Sequence, residues 1–176
     1  MKAIRNSDIV LLTNYFTIEL FKEGTAIDLK EEQLKELIRR YETANFIVER
    51  RMGAMLRDLL PESLTVDQLA TMRFLRRSGV STSSELSEIF CVGKSSITAI
   101  ITRLSDKDLI RRLPGEKDRR VIHLALTEKG EALCDIMETR IQERLAKFIQ
   151  HFREEEAIAF IETFEKLARE LTKPQE

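Results

Sequence analysis

The chain has 176 residues, 43% hydrophobic and 34% charged, with a formal net charge of −1. That supports one sizeable core, or one domain with an appended interface, and two well-separated cysteines exclude a disulfide framework or a cysteine-based zinc site. The balanced total conceals a polarity: residues 73–130 carry 12 Lys and Arg against 7 Asp and Glu, whereas residues 1–72 and 131–176 are both net acidic, so an anionic partner would be met by the middle of the chain.

In chain order, Ser7 caps an expected helix running to about Lys22, with Gly24 as its stop signal and apolar residues such as Ile9, Leu12, Phe16 and Leu20 on more than one face. With few cations, it reads as an extra packing element, one able to cross to a partner subunit, rather than as a membrane-surface helix. Asp28 opens a long helix that ends at Pro61, with Leu34, Leu37, Ile38, Tyr41, Val48, Met52, Met55, Leu56 and Leu59 as its apolar stripe. Roughly 30 residues at 1.5 Å each span ~45 Å, longer than a small domain is wide, so part of this stripe must find cover elsewhere. Thr65 with Gln68 forms a capping-box pair for a helix that carries Leu69, Met72 and Leu75 and stops at Gly79. Thr82 with Glu85 repeats the device for a short helix with Leu86 and Ile89 as core contacts.

The next helix runs from Lys94 to about Asp106. Ile97, Ile100, Ile101 and Leu104 recur at helical spacing, so one face must be buried. The opposite face holds Lys94, Ser95, Thr98, Ala99, Thr102 and Arg103. Short hydroxyls, a methyl and two cations suit close approach to base edges and phosphates far better than catalysis. Leu109 and Ile110 begin a strand that continues through Arg111 to Leu113, Pro114-Gly115 turns it, and Arg120 to Leu126 returns by alternation. The hairpin tip presents Lys117, Arg119 and Arg120 together. Two helices joined by a tight turn and followed by such a hairpin read as a helix-turn-helix with a wing.

Thr127 then caps a helix with Leu133, Ile136, Met137, Ile141, Leu145, Phe148 and Phe152 as apolar positions. A last helix starts near Arg153, its first turn rich in Glu154, Glu155 and Glu156, with Ile158, Ile161, Phe164, Leu167 and Leu171 expected to be buried. The fold class expected is mainly α with a small β-hairpin wing (α+β), a winged helix-turn-helix lobe with further helices on either side. Nothing at the N-terminus has the order of a signal peptide, and no apolar run approaches the ~20 residues of a membrane span. A cytoplasmic protein with no membrane partner is expected.

At the wing the sequence resembles the MarR (multiple antibiotic resistance) family of bacterial transcription regulators. Asp118-Arg119-Arg120, then Thr127, Glu128, Lys129 and Gly130 after six residues, fits that family's D-x-R…L-T-x-x-G signature, and Glu85-Leu86-Ser87 through Leu104 to Leu109 has the spacing of its helix-turn-helix. The resemblance covers about residues 30–172. It implies a homodimer in which the long N-terminal helix and the two C-terminal helices form a dimerisation domain, while the first ~28 residues lie outside the family pattern; the expected division is residues 1–60 for the N-terminal extension and the long helix, 61–127 for DNA binding and 128–176 for the C-terminal dimerisation helices. It implies a double-stranded DNA operator of pseudo-palindromic sequence, repression relieved by a small-molecule effector or stress signal, and no cofactor. Arg120 takes the place of the wing arginine in the minor groove, with Asp118 bracing it, and Lys94, Ser95, Ser96, Thr98, Thr102 and Arg103 lie in or beside the major groove.

Three positions depart from the family pattern: Cys91 replaces a turn glycine, Gly93 a serine cap, and Asp108 the glycine after the second helix, which costs most if that position needs positive φ. Cys91 reads first as a small buried turn residue, with a redox role open because a helix N-terminus stabilises a thiolate. Cys134 reads as core. His123 and His151 have no second His, Cys or paired carboxylate at ligand spacing, so neither reads as a metal ligand or catalyst. The sequence contains no nucleophile with its base and no phosphate loop, so an enzyme is not expected. The alternative is a winged helix used purely as a protein-interaction module, which would want an acidic or apolar face over residues 94–103.

Overall fold

The computed structural model describes residues 30–115, 118 and 120–173. The expected helix over Ser7 to Lys22 lies outside these residues, as do Lys117 and Arg119 of the wing tip. The described chain is mainly helical with one small antiparallel sheet: α1 (Glu31–Leu59), α2 (Val66–Ser78), β1 (Ser81–Thr82), α3 (Ser83–Ile89), α4 (Lys94–Asp106), β2 (Ile110–Pro114), β3 (Ile122–Leu126), α5 (Glu128–Ile149) and α6 (Glu154–Leu171). The chain divides into two compact units at the boundary between Ala54 and Met55, within α1.

In the first unit, α1 starts with Glu31 and Glu32 in its first turn, where the helix dipole favours acids. Its flank is laced by short-range pairs, Glu31 with Lys35 at 2.6 Å and Glu36 with Arg39 at 2.7 Å. Leu37, Tyr41, Phe46, Ile47 and Val48 are exposed, with the Arg50 guanidinium 5.4 Å from the centre of the Phe46 ring.

In the second unit, both capping boxes form as the sequence predicts. Thr65 and Gln68 exchange bonds of 3.2 and 3.3 Å, and Thr82 and Glu85 exchange bonds of 2.7 and 3.2 Å. Each satisfies two amide donors that a helix start would otherwise leave orphaned. The Thr82 backbone N–H and hydroxyl hold the Glu85 carboxyl below the usual carboxylate value. Gly79 ends α2 at φ 77° with its N–H on the Leu75 carbonyl, 2.8 Å away.

The core gathers Leu69, Met72 and Leu75 of α2, Leu86 of α3, Ile97, Ile101 and Leu104 of α4, Leu109, Ile110, Leu124 and Leu126 around the sheet, and Cys134, Met137 and Ile141 of α5. Leu56 and Leu59 pack against it. The sheet runs β1-β3-β2 with Ser81 opposite Leu124 and Ile110 opposite Leu126. β1 has no counterpart among the predicted elements, because a two-residue strand carries no periodicity to read. Pro114 extends β2 instead of turning it, which an edge strand tolerates because the missing N–H faces no neighbour.

Gly130 explains why the helix after the wing needs a glycine. A Cβ there would lie 2.2 Å from the Leu109 carbonyl oxygen, the same oxygen that accepts from Thr127 N–H at 3.1 Å. The start of α5 is thus pressed onto the backbone that links α4 to β2. Thr127 caps α5 through Gly130 N–H at 3.1 Å, as expected, and its own hydroxyl donates to the Asp108 carbonyl at 2.8 Å.

Several burial expectations are corrected. Ile89 is exposed, because α3 ends there in a tight turn and directs its last side chain outward. Ile136, Phe148 and Phe152 are exposed, and α6 has no buried residue, although Ile158, Ile161, Phe164, Leu167 and Leu171 keep helical spacing. Periodicity reports that a face is apolar; it does not say which surface covers it.

Candidate nucleic-acid interface

The exposed face of α4 is positioned by its buried one. Ile97, Ile101 and Leu104 are sealed in the core, which turns Lys94, Ser95, Ser96, Thr98, Ala99, Thr102 and Arg103 outward, and all seven are exposed. No acidic side chain stands among them, and none of these cations has a salt-bridge partner among the described residues. The helix begins at Gly93, which offers no side-chain cap, so its first N–H groups keep their positive end free for an anion.

The turn that delivers α4 is tied internally. Cys91 N–H donates to the Glu88 carbonyl at 3.0 Å, Val92 N–H to the Ser87 carbonyl at 3.1 Å, and the Ser87 hydroxyl to the Val92 carbonyl at 2.6 Å. Phe90 packs edge-on against Phe74, ring centres 6.1 Å apart. Cys91 has φ 49° and Asp108 has φ 56°. The two places where this chain lacks a turn glycine are therefore the two non-glycine residues that, among the described residues, are held in the left-handed region, which costs a side chain ~1–2 kcal/mol. Asp bears it more easily than Cys, since a short polar side chain bonds locally. The expectation that Cys91 is buried is corrected: it is exposed, while Cys134 is buried as expected.

At the wing, Gly115 N–H donates to the Val121 carbonyl at 2.8 Å and Val121 N–H to the Asp118 carbonyl at 3.0 Å, closing the tip. Asp118 Oδ1 accepts from the Arg120 backbone N–H at 2.9 Å. The brace expected between Asp118 and the Arg120 guanidinium is thus a different device: the carboxylate shapes the turn and leaves the exposed guanidinium unengaged among the described residues. Arg111 and Arg112 of β2 are also exposed and add to the cationic edge leading to the wing. Strand alternation hides both in the sequence by drawing attention to their apolar neighbours; two adjacent cations in a strand leading to a basic tip are the available signal.

In the same unit, α2 and α5 are clamped by charge. Arg76 reaches Asp135 at 2.5 Å, Glu131 at 3.6 Å and Glu138 at 3.7 Å, and Arg73 reaches Glu138 at 3.8 Å. Such partly exposed pairs are individually weak, and here they form a network across two helices that share the core. Cys134 lies beneath them, and burial pushes its thiol up to about 11. Among the described residues no cluster of His, Cys, Asp and Glu could hold a metal ion, and no helix is long and apolar enough to cross a membrane.

Residues 64–122 match the model of the MarR family. The chain is 31% identical over 115 residues to the HTH-type transcriptional repressor MdtR of Bacillus subtilis, covering 65% of this chain and 74% of that protein. Its fold resembles the solved structure of a MarR family protein from Bacillus stearothermophilus, with TM-score 0.69, 26% identity and coverage of 82% of this chain and 99% of that one. A mutant MarR from E. coli complexed with operator DNA has the same fold, with TM-score 0.61, 22% identity and coverage of 74% and 92%.

Proposed function

The chain belongs to the MarR family, and from that membership we propose that it is a sequence-specific DNA-binding transcriptional regulator that represses its targets. The observation that carries the proposal is the two-sidedness of α4: a sealed aliphatic face and an exposed face of small hydroxyls, a methyl and cations with no salt-bridge partner among the described residues. Kinship with transcription regulators also sets it apart from enzymes.

In this reading Lys94, Ser95, Ser96, Thr98, Ala99, Thr102 and Arg103 enter or border the major groove, and Lys117, Asp118, Arg119 and Arg120 form the wing that reaches the minor groove. A narrow A·T-rich groove attracts such an arginine through its negative potential. Residues 61–127 are the DNA-binding lobe, and residues 1–60 and 128–176 make a two-fold homodimer, which the uncovered apolar residues of α5 and α6 support. Release by a small molecule or stress signal belongs to the same proposal and rests on the family resemblance, as does a cytoplasmic location. A thiol switch at Cys91 is supported only by that residue's exposure. The interaction-module alternative gains nothing from a polar, basic face.

Selection of bound sites from a random duplex pool tests the function. The expected result is a pseudo-palindrome whose half-sites lie ~10 bp apart, one recognition helix per half-site. Recovery of no enriched sequence would overturn the proposal.

A further inference from the structure

This inference rests on the reading of α4 as the element that contacts bases. Ser95, Thr98, Ala99 and Thr102 stand at i, i+3, i+4 and i+7 and so form one stripe along the exposed face, opposite the stripe of Ile97, Ile101 and Leu104. Their chemistry differs from what their names suggest. The Thr98 hydroxyl donates its only proton to the Lys94 carbonyl at 2.6 Å, whereas the hydroxyls of Ser95 and Thr102 have no partner among the described residues.

A threonine bonded back to its own helix has no proton left for a base acceptor. As a donor the Thr98 hydroxyl is spent; its oxygen can still accept, and beside that oxygen the side chain presents a methyl group outward, with another from Ala99. The centre of the stripe thus offers two methyls and no donor, flanked by a free hydroxyl on each side. The one apolar feature of a base edge in the major groove is the 5-methyl group of thymine. We propose that Thr98 and Ala99 form a methyl-reading centre that selects thymine at one position of each half-site, while Ser95 and Thr102 supply the hydrogen-bonding flanks.

The test uses the full-length protein and the duplex obtained by site selection, with each thymine in turn replaced by deoxyuridine, which deletes the methyl and keeps the pairing. One thymine per half-site should be methyl-dependent, its loss weakening binding about fivefold, the scale of one buried methyl group. Thr98→Val keeps a methyl and removes the hydroxyl, so it should keep the uracil penalty and be less impaired than Thr98→Ser. Thr98→Ser should bind more weakly and lose most of that penalty. Tight, sequence-specific binding that ignores every uracil substitution would overturn the methyl reading while leaving the regulator reading intact. A Thr98→Val variant as impaired as Thr98→Ser would also overturn it, by assigning the contact to the hydroxyl oxygen. Absence of any preferred sequence would instead overturn the functional reading beneath it.

Discussion

Helices α4 and α6 are both amphipathic, with aliphatic or aromatic residues at helical spacing, yet they end in opposite states. The apolar face of α4 is sealed, with Leu104 fully buried, whereas Phe164 of α6 is 53% exposed and Phe160 62%. Phe160 and Phe164 stack on each other with ring centres 5.6 Å apart, which hides little from water. The winged lobe completes its own core from one chain; the C-terminal helix does not. An exposed apolar face of this kind marks an interaction surface, and the homodimer proposed above would cover it with a second copy of the chain.

The sharpest way to break this comparison is to place a charge on each face. Phe164→Glu should leave the lobe folded but shift sedimentation from about twice 20.5 kDa to the single-chain mass, a loss on the order of 4 kcal/mol or a thousandfold in dissociation constant. Leu104→Glu should unfold the lobe itself. A parent that sediments as a single chain at micromolar concentration would remove the reason for the contrast.

Gly130→Ala probes how tightly the covered side is packed. The added Cβ must push α5 off the Leu109 carbonyl, and the expected loss is ~1–3 kcal/mol in denaturant unfolding. An unchanged midpoint would show that this junction yields.

Cys134 sharpens the same point through pH. Its thiol is pushed up to about 11 from an ordinary 9.0, so the fold favours the protonated form. That contribution is complete below about pH 9 and is lost as the pH rises through 11. Comparing parent with Cys134→Ala across that window isolates the effect. Near neutral pH a thiol reagent should modify only Cys91 quickly, with Cys134 reacting on unfolding. For Glu85 the sign is reversed: its carboxyl is held low, so its support for the α3 cap is present above the ordinary carboxylate value and fades in acid.

Smaller effects are expected at the turns of the lobe. Cys91→Gly should stabilise by ~1 kcal/mol, since glycine adopts φ 49° without a Cβ penalty. Asp108→Gly should gain less. At the wing, Asp118→Asn should preserve operator affinity, because an amide oxygen can accept from Arg120 N–H as the carboxylate does. Asp118→Ala should lower affinity mildly and Arg120→Ala more, with the salt slope falling by ~0.9 if a phosphate contact is lost. Equal affinities for the Asn and Ala variants would show that the turn needs no side-chain acceptor.

The sequence by itself determined the elements whose causes are local. Both capping boxes, the stop at Gly79, the sealed stripe of α4 and its polar face were legible because they depend on residues three or four apart. The D-x-R…L-T-x-x-G run marked the wing, and its glycine has a physical reason in the Leu109 carbonyl. Tertiary structure alone decided what depends on distant neighbours. It recruited Ser81 and Thr82 as a strand by pairing them with β3, and it exposed Ile89 and Cys91. It also left α6 uncovered, because periodicity fixes which side of a helix is apolar, while coverage is set by surfaces far away in the chain or on another copy of it.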